Sequence, residues 1–199
     1  MITSTNPAPA NGQQLRGIDR LIAHVRNLEP VRMAVVHPCD ALSLGGAMDA
    51  RDAGIIIPVL VGPKARLQAV AAEGGISLAG CEIVDAPHSH AAAAAAACMA
   101  GKGEVQALMK GSLHSDEYLG AILAPNVGLR TERRLTHCFI METASYPRPF
   151  IITDAAINIA PTLDDKADIV RNAIDLAHVI GVAQPRVAIL AAVETVNAR

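Results

Sequence analysis

The stretch ITDAAINIAPTLDDKADIVRNAIDLAHVIGV, Ile152 to Val182, runs from an apolar strand through a polar turn into a long periodic segment. Ile169, Val170, Ala173, Ile174, Ala177 and Ile180 recur at the spacing of one helical face, which predicts a helix over Asp164–Ile180. Thr162 and Asp165 have the spacing of a capping box, and Asp164 and Asp165 suit the positive end of a helix. Gly181 closes it. Asp154 and Asn158 stand where strand gives way to turn. Ligands of open α/β sheets gather at the carboxyl ends of strands, which makes both candidates for lining a binding cleft. The same two residues could equally do no more than close the turn.

The same strand-then-helix rhythm continues upstream. Leu15–Leu28 reads as a helix, Val31–His37 as a strand, and Asp40–Ala53 as a helix opened by an Asp cap and stopped by Gly54. Ile55–Val61 is a β-branched strand, and Pro63 suits the first position of the next helix. Cys81–Val84 is a short strand. His88–Ala100 is a helix holding seven consecutive alanines, Ala91 to Ala97, the residue with the best intrinsic helix propensity. Val105–Met109 is a strand, Asp116–Leu123 a helix, and Leu135–Glu142 and Phe150–Thr153 are strands flanking Tyr146 to Pro149. Those two strands read as a hairpin or as a crossing between domains. Val187–Leu190 is expected as a final strand. Alternation of this kind specifies an α/β fold with a mostly parallel sheet covered on both faces.

Composition narrows the function. Of 199 residues 51% are hydrophobic but only 2% aromatic, so the core must be aliphatic. A formal net charge of -2 and the absence of a long basic run argue against nucleic acid as a partner. Cys39, Cys81, Cys98 and Cys138 are widely spaced, which fits free thiols and neither a disulfide framework nor a zinc site. No apolar run reaches the ~18 residues of a membrane span. Residues 1–13 read as a disordered leader without signal-peptide features. A cytoplasmic location is expected.

Two segments carry candidate chemistry. In Lys110-Gly111-Ser112-Leu113-His114-Ser115, a strand runs into a Gly turn and a helix start. The lysine charge, the hydroxyls and the free N–H groups together suit a phosphate. An ordinary βα loop with a Ser or Asp cap would look the same. In Gly128-Leu129-Arg130-Thr131-Glu132-Arg133-Arg134, arginine forks suit phosphate or carboxylate oxygens, and so would a solvated loop. Arg130 is the residue singled out there. His114 and His137 qualify by type as acid–base groups near neutral pH. His88 and His90 lack further ligands at metal-binding spacing.

LMKGSLHSDEYLGAIL (Leu108–Leu123), GLRT (Gly128–Thr131), ITDAAINIAPTLDDK (Ile152–Lys166), NAIDLAH (Asn172–His178) and RVAILAAVETVN (Arg186–Asn197) together resemble the phosphate acetyltransferase and phosphate butyryltransferase family. GLRT and NIAPTL look most like its butyryltransferase-type branch. The resemblance implies reversible acyl transfer between coenzyme A and inorganic phosphate. Coenzyme A would be the co-substrate, with no bound cofactor or metal. It implies two α/β domains of isocitrate-dehydrogenase-like architecture around a cleft, as a homodimer. Residues 14–146 would form the first domain and 147–199 the start of a second, incomplete one. Lys110, Gly111, Ser112, His114, Ser115, Arg130 and Thr131 would hold the phosphate or acyl phosphate, and Asp154 and Asn158 would line the cleft. Many members carry an Arg where Gly120 stands. The family's catalytic Ser, Arg and Asp are expected beyond Arg199. The alternative is a non-catalytic module that binds phosphate or acyl phosphate within a larger enzyme.

Overall fold

The structure, a computed structural model, describes residues 17–190. The expected leader, residues 1–13, lies outside them. The chain divides into two compact units, one of Ile22–Thr131 and one drawn from Met1–Leu21 and Glu132–Arg199.

In the first unit, β1 (Val31–Val36), β2 (Ile56–Gly62), β3 (Glu82–Asp85) and β4 (Ala107–Lys110) form a parallel sheet in the order β3-β2-β1-β4. Between the strands run α2 (Ala41–Asp52), α3 (Lys64–Gly74) and α4 (Ser89–Gly101). After β4 come α5 (Ser115–Ile122) and a 3-10 turn, Pro125–Val127. Strand residues point alternately to the two faces. Ala34, Val36, Val59 and Val61 therefore pack with Ala92, Ala93 and Ala96 of α4. Val35 and Leu60 pack with Leu44, Ala47 and Met48 of α2 and Leu67 and Ala71 of α3. The alanine run is thus a core element, whose methyl-sized surface suits close packing on a sheet of Val and Ala. Asp40 caps α2 by accepting the Ser43 N–H at 2.8 Å, as expected from sequence. Pro63 sits one place earlier than expected, as the extended residue before α3.

The chain lays β1, β2 and β3 outward in one direction, then returns to place β4 on the other side of β1. That reversal is a topological switch point, the place where open α/β sheets leave a crevice at the carboxyl ends of two strands. Here the two ends are Val36-His37 and Lys110-Gly111, with Val36 and Lys110 in register.

In the second unit, β5 (Cys138–Thr143) and β6 (Tyr146–Thr153) form an antiparallel hairpin. This selects the hairpin from the two sequence readings. Both strands are edges of a two-stranded sheet, where prolines such as Pro149 are tolerated. The long helix α6 (Leu163–Val179) buries Ile169, Ala173 and Ala177, a spacing of four residues on the expected face. Its capping box is complete: the Asp165 N–H donates to the Thr162 hydroxyl at 3.3 Å and the Thr162 N–H to Asp165 at 2.9 Å. The expected strand Val187–Leu190 does not form; these residues are irregular and exposed. A strand exists through its ladder, and among the described residues none lies beside this segment to provide one. α1 (Gly17–Val25) contributes the Ile18 N–H to Glu142 at 3.4 Å.

Candidate functional site

The loop from Lys110 to Ser115 lies at the switch point because β4 pairs with β1. Three hydrogen bonds fix its first half to the end of β1. Gly111 N–H donates to the Val36 carbonyl at 2.9 Å, Ser112 N–H to the His37 carbonyl at 2.9 Å, and His37 Nδ1 meets the Ser112 carbonyl at 2.7 Å. Leu113 N–H bonds back to the Gly111 carbonyl at 3.1 Å. Gly111 is required by space: a Cβ there would stand 2.5 Å from the Val36 carbonyl oxygen and 2.8 Å from that of His37.

These bonds assign the donors of the loop. The amides of Gly111, Ser112 and Leu113 are consumed within the fold. The Ser112 hydroxyl acts on the Asp40 carboxylate by helping to lower its pKa. Asp40 is held below the usual carboxylate range chiefly by the Ser43 N–H and hydroxyl, with Ser112 adding to the effect against some burial. The donors that remain are Lys110, exposed at the strand end, the Ser115 hydroxyl, and the first turn of α5. His114 precedes α5 without making a side-chain cap, whereas Asp40 caps α2 and His88 caps α4. In α3 the Lys64 N–H is taken by Asp85 at 2.8 Å. First-turn N–H groups have no intrahelical acceptor, so the start of α5 presents donors and a positive dipole end. Asp116 and Glu117 in that turn offset part of that field.

Arg130 is exposed, three residues past the 3-10 turn, and Thr131 follows it. Among the described residues no hydrogen bond or ion pair joins Arg130 to the Lys110–Ser115 loop. Gly120 lies exposed on α5, and a Cβ there would meet nothing within 4 Å. The two histidines at the start of α4 are engaged: the cap His88 accepts the Ala91 N–H on Nδ1 at 3.2 Å, and His90 in the first turn pairs with Glu117 at 3.1 Å. Among the described residues no cluster of His, Cys, Asp or Glu has the arrangement to hold a metal ion. Likewise, no helix there is long and apolar enough to cross a membrane.

Asp154 and Asn158 belong to the second unit and are tied to each other. Asp154 Oδ1 accepts the N–H groups of Ala156 and Ile157, both at 3.1 Å, and its other oxygen accepts from Asn158. Asn158 also donates to the Leu135 carbonyl at 3.1 Å and accepts from Arg134. Burial pushes the Asp154 carboxyl up, but the N–H donors of Ile157, Asn158, Ala156 and His137 together outweigh it and hold it below its ordinary value. Arg134 continues the network to Asp165 at 3.2 Å, and Arg133 pairs with Asp175. Two of the three clustered arginines thus brace α6. His137 packs its ring edge-on against Phe139 at 4.4 Å, with Nδ1 buried and without a partner.

His37 and Asp40 are the residues that sequence reasoning passed over as site elements. The signal was present in the sequence: His37-Pro38-Cys39-Asp40 leaves the end of an apolar strand just as Gly111-Ser112 does. Only the strand order puts the two segments side by side.

The family model for phosphate acetyl/butaryl transferase matches residues 88–199. A phosphate acetyltransferase of Rhizobium meliloti is 53% identical over 181 residues, covering 91% of this chain and 57% of the relative. A phosphate butyryltransferase of Clostridium acetobutylicum is 33% identical over 183 residues, covering 92% of this chain and 61% of the relative. The higher identity lies with the acetyltransferase, although the GLRT and NIAPTL blocks suggest the butyryl branch. The crystal structure of a phosphotransacetylase from Streptococcus pyogenes superposes with a TM-score of 0.69 at 14% identity, covering 82% of this chain and 59% of that one. The chain spans a little over half the length of these relatives. With α4, α5 and α6 all inside the matched region and this identity sustained along the chain, the protein belongs to the phosphate acetyl/butaryl transferase family.

Proposed function

We propose that the chain carries the phosphate-holding part of a phosphate acyltransferase, which interconverts acetyl-CoA or another short-chain acyl-CoA and phosphate with acyl phosphate and CoA. Towards acyl-CoA, the CoA thiolate attacks the acyl carbon. A carbon–sulfur bond forms, the bond from that carbon to the phosphate oxygen breaks, and phosphate departs with the electron pair. The protein has to hold the phosphoryl group, stabilise the oxyanion and remove the thiol proton.

The observation that carries this reading is the uncapped start of α5 beside Lys110 at the switch point, in a chain of this family. Lys110, Ser115 and the first-turn N–H groups of α5 hold the phosphate oxygens, with His114 at the mouth and Arg130 and Thr131 as further contacts. Gly111 and Ser112 shape the loop. Asp154 and Asn158 frame the second unit. The thiol base is not among the described residues. CoA is the co-substrate, with no bound cofactor. The working protein is a cytoplasmic homodimer of isocitrate-dehydrogenase-like architecture.

Conversion of CoA to acetyl-CoA by acetyl phosphate, followed by thioester absorbance, tests this directly. The 199-residue chain is expected to bind phosphate with little or no turnover, and an in-frame extension past Arg199 to turn over. Full activity from the 199-residue chain would refute the assignment of the base. An inactive extension that also fails to bind phosphate would refute the acyltransferase reading. An inactive extension that still binds phosphate would favour a non-catalytic phosphate-binding module.

A further inference from the structure

We infer that His37 is the positioning residue of the phosphate loop, a role that rests on the function proposed above. His37 is the one polar side chain in the buried core among the described residues, 8% exposed, and it follows β1 directly. Its backbone has φ of 54°, the left-handed region that residues other than Gly adopt only uncommonly, with Asn, Asp and His the most frequent exceptions. That conformation leaves the His37 carbonyl accepting the Ser112 N–H at 2.9 Å while the ring meets the Ser112 carbonyl at 2.7 Å. A carbonyl only accepts, so Nδ1 carries the hydrogen and donates. The two residues thus bond twice, backbone to backbone and ring to backbone.

The consequence falls on Lys110 and the start of α5. The peptide unit of Ser112 links the strand that carries Lys110 to the helix that supplies the free N–H groups. Its N–H is held by the His37 carbonyl and its carbonyl by the His37 ring. With both groups fixed, the donors on either side keep a constant separation. Removing the ring bond leaves the peptide after Ser112 held only by the Leu113 N–H on the Gly111 carbonyl, and loosens the geometry between Lys110 and α5. His37 itself need not touch phosphate.

His37→Gly relaxes the backbone and deletes the donor. His37→Asn tolerates the same φ and offers an amide N–H in place of Nδ1. Titrating inorganic phosphate into each protein by calorimetry, the Gly variant is expected to bind about tenfold more weakly, and the Asn variant to recover most of that loss. Nitrogen NMR of the imidazole is expected to show Nδ1 protonated in the neutral ring. Amide exchange at Ser112 and Leu113 should quicken in His37→Gly and return in His37→Asn. Wild-type phosphate affinity in His37→Gly, or a ring protonated at Nε2 alone, would overturn the inference. Should the unchanged protein bind no phosphate while exchange at Ser112 still follows the substitutions, the functional reading fails and the positioning role of His37 stands.

Discussion

The parallel sheet of Ile22–Thr131 and the hairpin-and-helix of Glu132–Arg199 are held together by different forces. The first has fully buried Leu44, Leu60, Leu67, Val35, Val36, Val59 and Val61 packed on both faces of one sheet. Among its described residues the second buries only Ile169, Ala173 and Ala177, and it joins its parts through Asp154, Asn158, Arg134, Asp165 and Asn172. It also leaves Phe139, Met141 and Ile152 substantially exposed on the hairpin. Apolar burial contributes roughly 25 cal/mol per Å², whereas a typical hydrogen bond nets only about 1 kcal/mol. The first unit is therefore the stable platform, and it is the one that bears the candidate phosphate loop.

Substitutions can break or sharpen that contrast. The largest effect is expected from Leu60→Ala, which empties a fully buried position; about 3–4 kcal/mol lost from the urea unfolding of the first unit would agree. Gly111→Ala follows, at about 2–3 kcal/mol, because its Cβ meets backbone oxygens that cannot step aside. In that variant phosphate affinity should fall as well. Asn158→Ala in the second unit should cost about 1–2 kcal/mol by leaving Asp154 and the Leu135 carbonyl short of a donor. Thr162→Ala, which opens the capping box of α6, is the smallest at about 1 kcal/mol. A second-unit substitution that cost as much as Leu60→Ala would show the two units to be equally packed.

Acid separates them in another way. The folded Asp154 carboxyl lies below its unfolded value of about 3.9. Its stabilisation is therefore complete above that value and is lost as pH falls through the lower folded one. Asp154→Asn should flatten the acid limb of the melting temperature of the second unit and leave that of the first unchanged. An unaltered acid limb would mean that the Asp154 bonds carry no net stability.

Much of this architecture was legible in the sequence, for identifiable reasons. The β-branched runs Val31–Val36 and Ile56–Val61 and the capped helices α2, α4 and α6 follow from local chemistry that tertiary packing did not override. Val187–Leu190 was misread because an apolar run signals capacity for pairing, and pairing needs a neighbour. The loop at Lys110 was legible as an anion candidate, but its working donors were not. That the Ser112 amide bonds to His37 and the Gly111 amide to Val36 depends on β4 lying beside β1, which no local pattern states. Arg133 and Arg134 read like Arg130 in sequence, yet they brace α6 through Asp175, Asn158 and Asp165.

The central claim is that phosphate is held at the uncapped start of α5 beside Lys110. Calorimetric titration of inorganic phosphate into the 199-residue chain and its Lys110→Ala variant tests it most directly. The account predicts one site in the unchanged protein, and in the variant a loss of affinity of about tenfold or more, as for deletion of a charge-assisted hydrogen bond. Equal affinity in the two proteins, or no phosphate binding by the unchanged chain, would contradict it.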